Sequence, residues 1–214
     1  MSELRVDVLA LGTLAKNRFW DETRDMRDEV ATCSLVRSGK TVLVVDPGWP
    51  DAVLQAVLFY RAGLRPEDVT DVFLTHLDPA HAGGTETFQK ARWLAYEEEV
   101  VYGKAELKGD RAIAAILGRL KPAPEHIVPG VDIFPTPGHS PGHCSLMVNS
   151  PTETTFIAGD AVLTRDHLEH GDLGPTVWDR DKAAESFAEV LEIGDFVIPG
   201  HDNIVWLRSQ GNLL

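Results

Sequence analysis

Four apolar, strand-like segments of this chain each run into a short loop that carries histidine or aspartate. The loops read THLDPAH (75–81), PTPGHSPGH (135–143), FIAGDAV (156–162) and VIPGH (197–201). Loops held by a rigid scaffold of strands often carry functional side chains. We therefore predict a fold in which several strands end at one edge of a sheet and deliver these side chains to one place.

The residue types in these loops indicate a metal site. Imidazole and carboxylate groups are the ligands that suit zinc, iron or manganese. A lone histidine in a loop is more often exposed than bound to metal, but four such loops after four strands are hard to attribute to chance. A glycine, which lets the backbone turn or approach an ion closely, directly precedes three candidate ligands, in the pairs Gly138–His139, Gly159–Asp160 and Gly200–His201.

On these motifs the chain resembles the metallo-β-lactamase fold superfamily, which includes hydroxyacylglutathione hydrolase and acyl-homoserine lactonases. The motifs TPGHSPGH, AGD and IPGH match that family in order, residue type and spacing, and the resemblance extends from Asp46 to His201. It implies an α/β (α+β) fold, a four-layer αββα sandwich of two mixed β-sheets flanked by helices. The order of strands and helices also favours two packed sheets with helices outside, and we predict a single domain over residues 1–214.

The family's first motif is T-H-x-H-x-D-H, and here it reads THLDPAH, so two of its positions differ. The resemblance implies six metal ligands, which are His76, Asp78, His81, His139, Asp160 and His201. One metal position would use His76, Asp78 and His139. The other would use His81 and His201, and Asp160 would bridge the two.

The two changed positions have different consequences. Asp78 stands where the family has histidine, so a charged oxygen ligand replaces a neutral nitrogen ligand at the first metal position. This makes the position more suitable for iron or manganese. Ala80 stands where the family has aspartate, so a ligand to the second position is lost. We expect one or two divalent ions per chain, with zinc as the first expectation and iron or manganese as alternatives, and with the second position weaker or empty.

Two further residues are candidates for a supporting role. By resemblance, His143 belongs to the GHSPGH turn as a structural residue and not as a ligand. Asp46 resembles a family aspartate that supports a ligand histidine through a hydrogen bond. An ordinary residue of a strand-end turn would have the same sequence signature as Asp46, so both interpretations stay open.

The resemblance implies a metal-dependent hydrolase of a small ester, lactone or thioester. A metal ion lowers the pKa of bound water from about 15.7 towards neutrality and polarises a carbonyl group, so metal-bound hydroxide would attack the substrate. The two candidate catalytic residues are Asp160, as a bridge or ligand, and Asp78, which would pass a proton to the leaving group if it is not bound to metal.

Two other functions remain open. Two histidines and one carboxylate form a set typical of non-haem iron enzymes, which favours a mononuclear or dinuclear iron redox enzyme similar to the persulfide dioxygenases of this fold. The loss at Ala80 instead favours a degenerate member that binds metal without catalysis.

Apolar periodicity predicts the remaining elements. Helices are expected over 51–64, 111–120 and 180–194, and strands within 4–12, 30–39, 41–48, 68–76, 91–96, 131–150, 154–163 and 195–202. The polar stretch 13–29, which contains Phe19 and Trp20, is predicted to be a long loop. We expect this loop, residues 164–178 and Trp206 to line a substrate pocket.

The segment 164–178 is rich in ionisable residues. Arg165 is a candidate for binding a substrate carboxylate, and His167 or His170 for acting as a catalytic acid. The alternative is that these are solvated loop residues.

Composition narrows the choice of partner. The chain has 20 Lys and Arg against 33 Asp and Glu, a net charge of −13, and no basic run. Nucleic acids and anionic membranes are therefore poor partners, and a small-molecule substrate is expected. Its apolar segments are short, no signal segment is visible and two cysteines form no disulfide framework, so we predict a cytoplasmic protein. The aromatic residues are compatible with a homodimer contact.

Overall fold

The computed structural model describes residues 4–207. Residues 1–3 and 208–214, which the single-domain prediction over 1–214 includes, lie outside the described residues. Among residues 4–207, no helix has both the length and the apolar character needed to cross a membrane.

The first sheet contains six strands in the order in which they occur along the chain. β1, β2 and β3 form antiparallel pairs, and β3 to β6 run parallel to one another. The strands are β1 (Arg5–Ala10), β2 (Cys33–Ser38), β3 (Thr41–Val45), β4 (Asp71–Leu74), β5 (Arg92–Ala95) and β6 (Leu120–Pro122).

The second sheet of residues 4–207 also has six strands, and these too follow one another across the sheet in chain order, from β7 at one edge to β12 at the other. Only β10 and β11 are parallel, and the other neighbours are antiparallel. The strands are β7 (His126–Val128), β8 (Val131–Pro135), β9 (Cys144–Asn149), β10 (Thr154–Gly159), β11 (Phe196–Pro199) and β12 (Val205–Trp206). Both sheets are therefore mixed.

The described residues form five α-helices outside the sheets, and they are α1 (Asp51–Val57), α2 (Glu97–Tyr102), α3 (Arg111–Leu117), α4 (Arg165–His170) and α5 (Arg180–Ile193). Short π-helical segments, Leu58–Ala62 and Gly103–Leu107, continue α1 and α2. The carboxylate of Asp179 accepts the backbone N–H groups of Asp181 and Lys182 and so fixes the start of α5.

Alternation along the strands divides the interior into layers. In β4, Phe73 points into the apolar cluster between the two sheets, whereas Val72 and Leu74 belong to the cluster that contains residues of α1 and α3. In β10, Ile157 joins the cluster between the sheets while Phe156 packs with Val190 of α5. This two-residue period produces an αββα sandwich, and the predicted fold is confirmed.

The structure differs from the predicted elements at several places. The predicted helix 111–120 ends at Leu117, and its last residue begins β6. Residues 165–170, predicted as loop, form α4, because the Thr164 hydroxyl accepts the backbone N–H of His167 and caps the helix. The short α2 and the two-residue β12 have no clear periodicity in the sequence. The stretch 13–29 is irregular as predicted, apart from a 3-10 turn over Arg18–Trp20.

We predict that Phe73→Ala lowers the free energy of unfolding by roughly 3–5 kcal/mol, because Phe73 is fully buried between the sheets. Urea unfolding of the metal-free protein measures this loss. Phe59→Ala is the matched control, since Phe59 is 57% exposed and its loss should stay within about 0.5 kcal/mol. Equal losses for the two variants would contradict the layer assignment.

Candidate metal centre

The candidate ligands meet at one end of the two sheets, because each follows a strand that ends there. His76 and His81 lie in the loop after β4, and His139 lies in the loop between β8 and β9. Asp160 follows β10 directly, and His201 follows β11 after one glycine. All five of these side chains are buried or nearly so.

Asp160 lies at the centre of this cluster, and its two carboxylate oxygens face different histidines. Oδ1 lies 3.2 Å from Nε2 of His81 and 3.3 Å from Nε2 of His201. Oδ2 lies 3.8 Å from Nε2 of His76 and 3.6 Å from Nε2 of His139. The carboxylate is therefore shared by two donor sets.

The donor set on the Oδ1 side of Asp160 consists of Asp160 Oδ1, His81 Nε2 and His201 Nε2, and its spacing fits a metal ion. The two imidazole nitrogens lie 3.4 Å apart, close to their distances from Oδ1. Four donors at 2.0–2.1 Å around zinc are separated by about 3.3–3.4 Å. Ligand atoms of His76, His81 and Asp160 also lie within 4.8 Å of one another.

Buried donor atoms in this cluster lack other partners, which also fits a metal ion. Among residues 4–207, His76 Nε2 and Asp160 Oδ1 are buried without a hydrogen bond of acceptable geometry. Burying such groups without a partner is costly. The donor chemistry and the spacing therefore fit a divalent metal on each side of Asp160.

Asp78 and Ala80, the two altered positions of the first motif, lie at the edge of the cluster. The Asp78 carboxylate accepts the backbone N–H of Ala80 at 2.8 Å. In the part of the chain that the structure describes, no histidine nitrogen lies within 4.0 Å of the Asp78 carboxylate. Asp160, in contrast, lies within that distance of His76, His81, His139 and His201. As a metal ligand, Asp78 stays a prediction.

The electrostatics of the cluster are dominated by Asp160. Burial opposes its charge, but His201 and His81 hold the pKa of Asp160 well below its usual value. Burial also opposes charge on His81 and His201, and the Asp160 carboxylate nevertheless raises the pKa of both. The carboxylate therefore favours the protonated form of both imidazoles, so metal binding would compete with protons.

His76 behaves differently from its neighbours. Burial, together with the nearby His81 and His139, holds the pKa of His76 well below its usual value. A neutral imidazole is the form that binds metal. His76 is therefore ready to act as a ligand near neutral pH without losing a proton.

Hydrogen bonds to the far nitrogens fix the orientation of three rings. Asp46 Oδ2 accepts Nδ1–H of His81 at 3.0 Å, and the carbonyl of Val30 accepts Nδ1–H of His201 at 2.9 Å. Thr75 Oγ1 lies 3.1 Å from Nδ1 of His76. Such partners hold the other nitrogen towards a metal ion, so Asp46 has the supporting contact that the resemblance implies.

His143 supports Asp160 from behind. Its Nε2 accepts the backbone N–H of Asp160 at 3.0 Å, and its Nδ1 lies 2.8 Å from Thr136 Oγ1. Burial lowers the pKa of His143 to about 3, so the ring stays neutral and can accept this bond. These contacts agree with the predicted structural role of His143.

Two of the predicted glycines are required by close contacts. A Cβ at Gly200 would lie 2.0 Å from Oδ1 of Asp160. Gly159 has a φ of +50°, and a Cβ there would lie 2.5 Å from Thr75 Oγ1. A side chain at either position would displace the central carboxylate or its neighbours.

Glu99 of α2 joins two of the ligand loops, and no sequence motif predicted this role. Its carboxylate accepts the Leu77 N–H at 2.8 Å, the Ser140 hydroxyl at 2.7 Å and the Gly142 N–H at 3.1 Å. Burial raises the pKa of Glu99, although these three hydrogen bonds oppose that shift. In the sequence Glu99 belongs to a run of three glutamates, which is typical of a solvated helix face.

A cavity of about 310 Å³ opens onto the metal cluster at His139 and Asp160. Residues from the loop 13–29 and from the segment after Asp160 form its walls, as predicted, but Phe19 and Trp20 do not line it. They are Leu14, Ala15, Lys16, Arg18, Asp25, Glu29, Leu163, His167, Pro175 and Thr176. Trp206 is not among them, because it stacks on Phe196 beside β11.

The three ionisable candidates of the segment 164–178 occupy different environments. His167 is buried, lines the cavity and shares a 2.7 Å hydrogen bond with Thr164. His170 stacks on Phe19, with ring centroids 4.4 Å apart. The Arg165 side chain is exposed at the start of α4, and only His167 of the three lines the cavity.

Comparison with known proteins identifies the family. A family model described as the metallo-beta-lactamase superfamily matches residues 26–201, so the chain belongs to the metallo-beta-lactamase superfamily. An N-acyl homoserine lactonase from Bacillus cereus is 25% identical over 203 residues, which cover 79% of this chain and 80% of the lactonase. The predicted family is confirmed, and its relatives include hydrolases.

Two solved structures show the same fold. A structure described as a metallo-beta-lactamase from Thermotoga maritima has a TM-score of 0.72 at 18% identity, with 95% of this chain and 99% of that chain covered. AidC, a dizinc quorum-quenching lactonase in complex with a product, has a TM-score of 0.67 at 20% identity, with 82% and 74% covered. At these identities the likeness concerns the fold alone.

We predict that the stability of the metal-free protein depends on the neutral form of His167. Burial and the charge of Arg18 lower the pKa of His167 to about 4, below the value of about 6.5 in an unfolded chain. The stabilisation is therefore complete above pH 6.5 and is lost as the pH falls towards 4. From pH 7 to pH 5, the free energy of unfolding of the wild-type protein should fall by roughly 2 kcal/mol more than that of His167→Gln.

Urea unfolding at several pH values measures this difference. The surface variant His126→Gln serves as the control, since His126 is exposed and its partner Asp132 raises its pKa, a shift of opposite sign. Identical pH dependence in the wild-type protein and His167→Gln would show that His167 is not held neutral.

Proposed function

We propose that this protein is a hydrolase that uses two divalent metal ions to open a small lactone or cleave a small ester or thioester. The observation that carries the proposal is the central carboxylate of Asp160, which faces one pair of histidines with each oxygen. A shared carboxylate at the floor of a cavity supports a two-metal hydrolytic centre.

We infer that the ligands divide into two sets around Asp160. His76 and His139 would hold one ion, with Asp78 as a further ligand if its side chain turns away from the Ala80 N–H. His81 and His201 would hold the other. Zinc is the metal we propose first, supported by the nitrogen-rich donor set and by the dizinc centre of the lactonase AidC.

Bound metal would supply a nucleophile from water near neutral pH and would polarise the substrate carbonyl. The protein's own residues arrange this chemistry. Asp46 and the Val30 carbonyl hold the rings of His81 and His201 in a fixed tautomer and orientation. Asp160 keeps its negative charge at the centre of the site, and Asp78 remains the candidate for passing a proton to the leaving group.

The cavity supports a small acyl substrate. Leu14, Leu163 and Pro175 give it apolar walls, and its charged lining combines Lys16 and Arg18 with Asp25 and Glu29. Arg18 also pairs with Asp172. An acyl chain along the apolar wall, with the carbonyl group towards Asp160, fits this arrangement, and the lactonase from Bacillus cereus supports lactones as the first class to test.

The iron redox function stays a second prediction, although no contact of Asp78 favours it over hydrolysis. The cytoplasmic location and a homodimer also stay predictions.

We expect the zinc-loaded protein to hydrolyse at least one member of a panel of N-acyl lactones, aryl esters and thioesters, and the metal-free protein to hydrolyse none. His139→Asn should lower kcat/KM more than about 100-fold, because even residues that only support a ligand contribute 10–100-fold. His126→Asn changes an exposed histidine that pairs with Asp132 and is not a candidate ligand, so this control should keep wild-type activity.

Initial rates with each substrate, before and after zinc addition, provide the measurement. The proposal fails if the zinc-loaded protein turns over no substrate of the panel faster than the metal-free protein does. Oxygen uptake by the iron(II)-loaded protein with glutathione persulfide, without hydrolysis of the panel, would favour the redox alternative.

A further inference from the structure

The donor set on the Oδ1 side of Asp160 has only three members. His81, His201 and Asp160 contribute one atom each, with mutual distances of 3.2–3.4 Å. Ala80, which occupies the position of the family's aspartate, has no donor atom in its side chain. A fourth protein ligand would have to come from another part of the chain.

A carboxylate from the loop 13–29 approaches one member of this donor set, His201. Glu29 Oε1 lies 3.9 Å from Nε2 of His201, on the nitrogen that faces Asp160. Glu29 also lines the cavity that opens at the cluster. Two independent features therefore place this carboxylate beside the incomplete donor set.

The backbone fixes Glu29 at this position. Thr13 and Val30 form a short antiparallel bridge that closes the loop, with N···O distances of 2.9 and 3.1 Å. The Val30 carbonyl accepts Nδ1–H of His201, so the residue next to Glu29 orients the histidine that Glu29 approaches. The position of Glu29 relative to His201 is thus set by contacts outside its own side chain.

The two oxygens of Glu29 have different surroundings. Oε2 accepts the backbone N–H of Ala15 at 3.2 Å, which leaves Oε1 directed towards His201. The side chain is 44% exposed, so it can move by the few tenths of an ångström that separate 3.9 Å from the spacing of about 3.3 Å expected for neighbouring zinc ligands.

We propose that Glu29 is a ligand to the metal ion held by His81, His201 and Asp160, and that it replaces the aspartate lost at position 80. A ligand from the loop 13–29 would also couple the wall of the cavity to metal binding. This inference rests on the proposed function only in requiring a metal ion at that position.

Charge favours the same assignment. Asp160 is the one carboxylate that the two donor sets share, and it faces four imidazoles. Two divalent ions would bring a charge of +4 into this buried cluster. A second carboxylate lowers the cost of holding that charge away from water.

The test is metal binding by Glu29→Gln, which keeps the size of the side chain and an acceptor for the Ala15 N–H. Metal-free protein is titrated with cobalt(II) while calorimetry records stoichiometry and affinity and visible absorption records the coordination. We expect the wild-type protein to bind about two ions. Glu29→Gln should keep the affinity for the ion on the side of His76 and His139. It should bind the ion on the side of His81 and His201 at least tenfold more weakly and lose part of the cobalt absorption.

Two further variants make the result specific. Asp25→Asn removes another carboxylate that lines the cavity and should leave both affinities unchanged. Glu29→Gln combined with Ala80→Asp restores a carboxylate at the position used by the family and should recover the second affinity. Thermal unfolding of each metal-free variant checks that the fold is intact.

The proposal is overturned if Glu29→Gln binds both ions with wild-type affinity and absorption, or if the wild-type protein binds a single ion. These outcomes are separate from the failure of the hydrolase proposal. A protein that binds two ions through Glu29 but hydrolyses no substrate would retain the ligand assignment and lose only the proposed activity.

Discussion

The structure depends on one buried carboxylate surrounded by imidazole rings. Asp160 is almost fully buried, and each of its oxygens lies within 4 Å of two histidine nitrogens. A carboxylate in this position is stable only if positive charge compensates it. Asp160 raises the pKa of His81 and His201 and so favours their positively charged forms without metal. Bound divalent ions would compensate the same carboxylate, so protonation and metal binding are linked at this residue.

The rest of the fold keeps this carboxylate in place. Gly200 has no side chain, so the chain after β11 can pass directly against Asp160. His143 holds the Asp160 backbone, and Glu99 ties the loop of His76 to the loop of His139. Strands of both sheets end at the same side of the fold. His81 and His201, which are 120 positions apart in the chain, therefore come within 3.4 Å of each other.

Much of the fold and the centre of the site could be predicted from the sequence, because both leave regular patterns. Continuous apolar runs indicated β4 and β10, and helical spacing indicated α5. The motifs around His139, Asp160 and His201 indicated the metal cluster. Glu29 and Glu99 could not be found in this way. Each acts through a contact with a distant loop, and in the sequence each is an ordinary acidic residue in a polar segment. The geometry of Asp78 was equally hidden, because its bond to the Ala80 N–H depends on a local turn.

The most direct test of the account is the metal content of Asp160→Asn compared with the wild-type protein, after both are loaded with zinc and dialysed. If Asp160 is shared by two metal positions, the wild-type protein should retain about two equivalents per chain, and the variant should lose affinity for both ions. A variant that keeps one zinc ion with wild-type affinity would contradict the shared carboxylate and, with it, the two-metal centre.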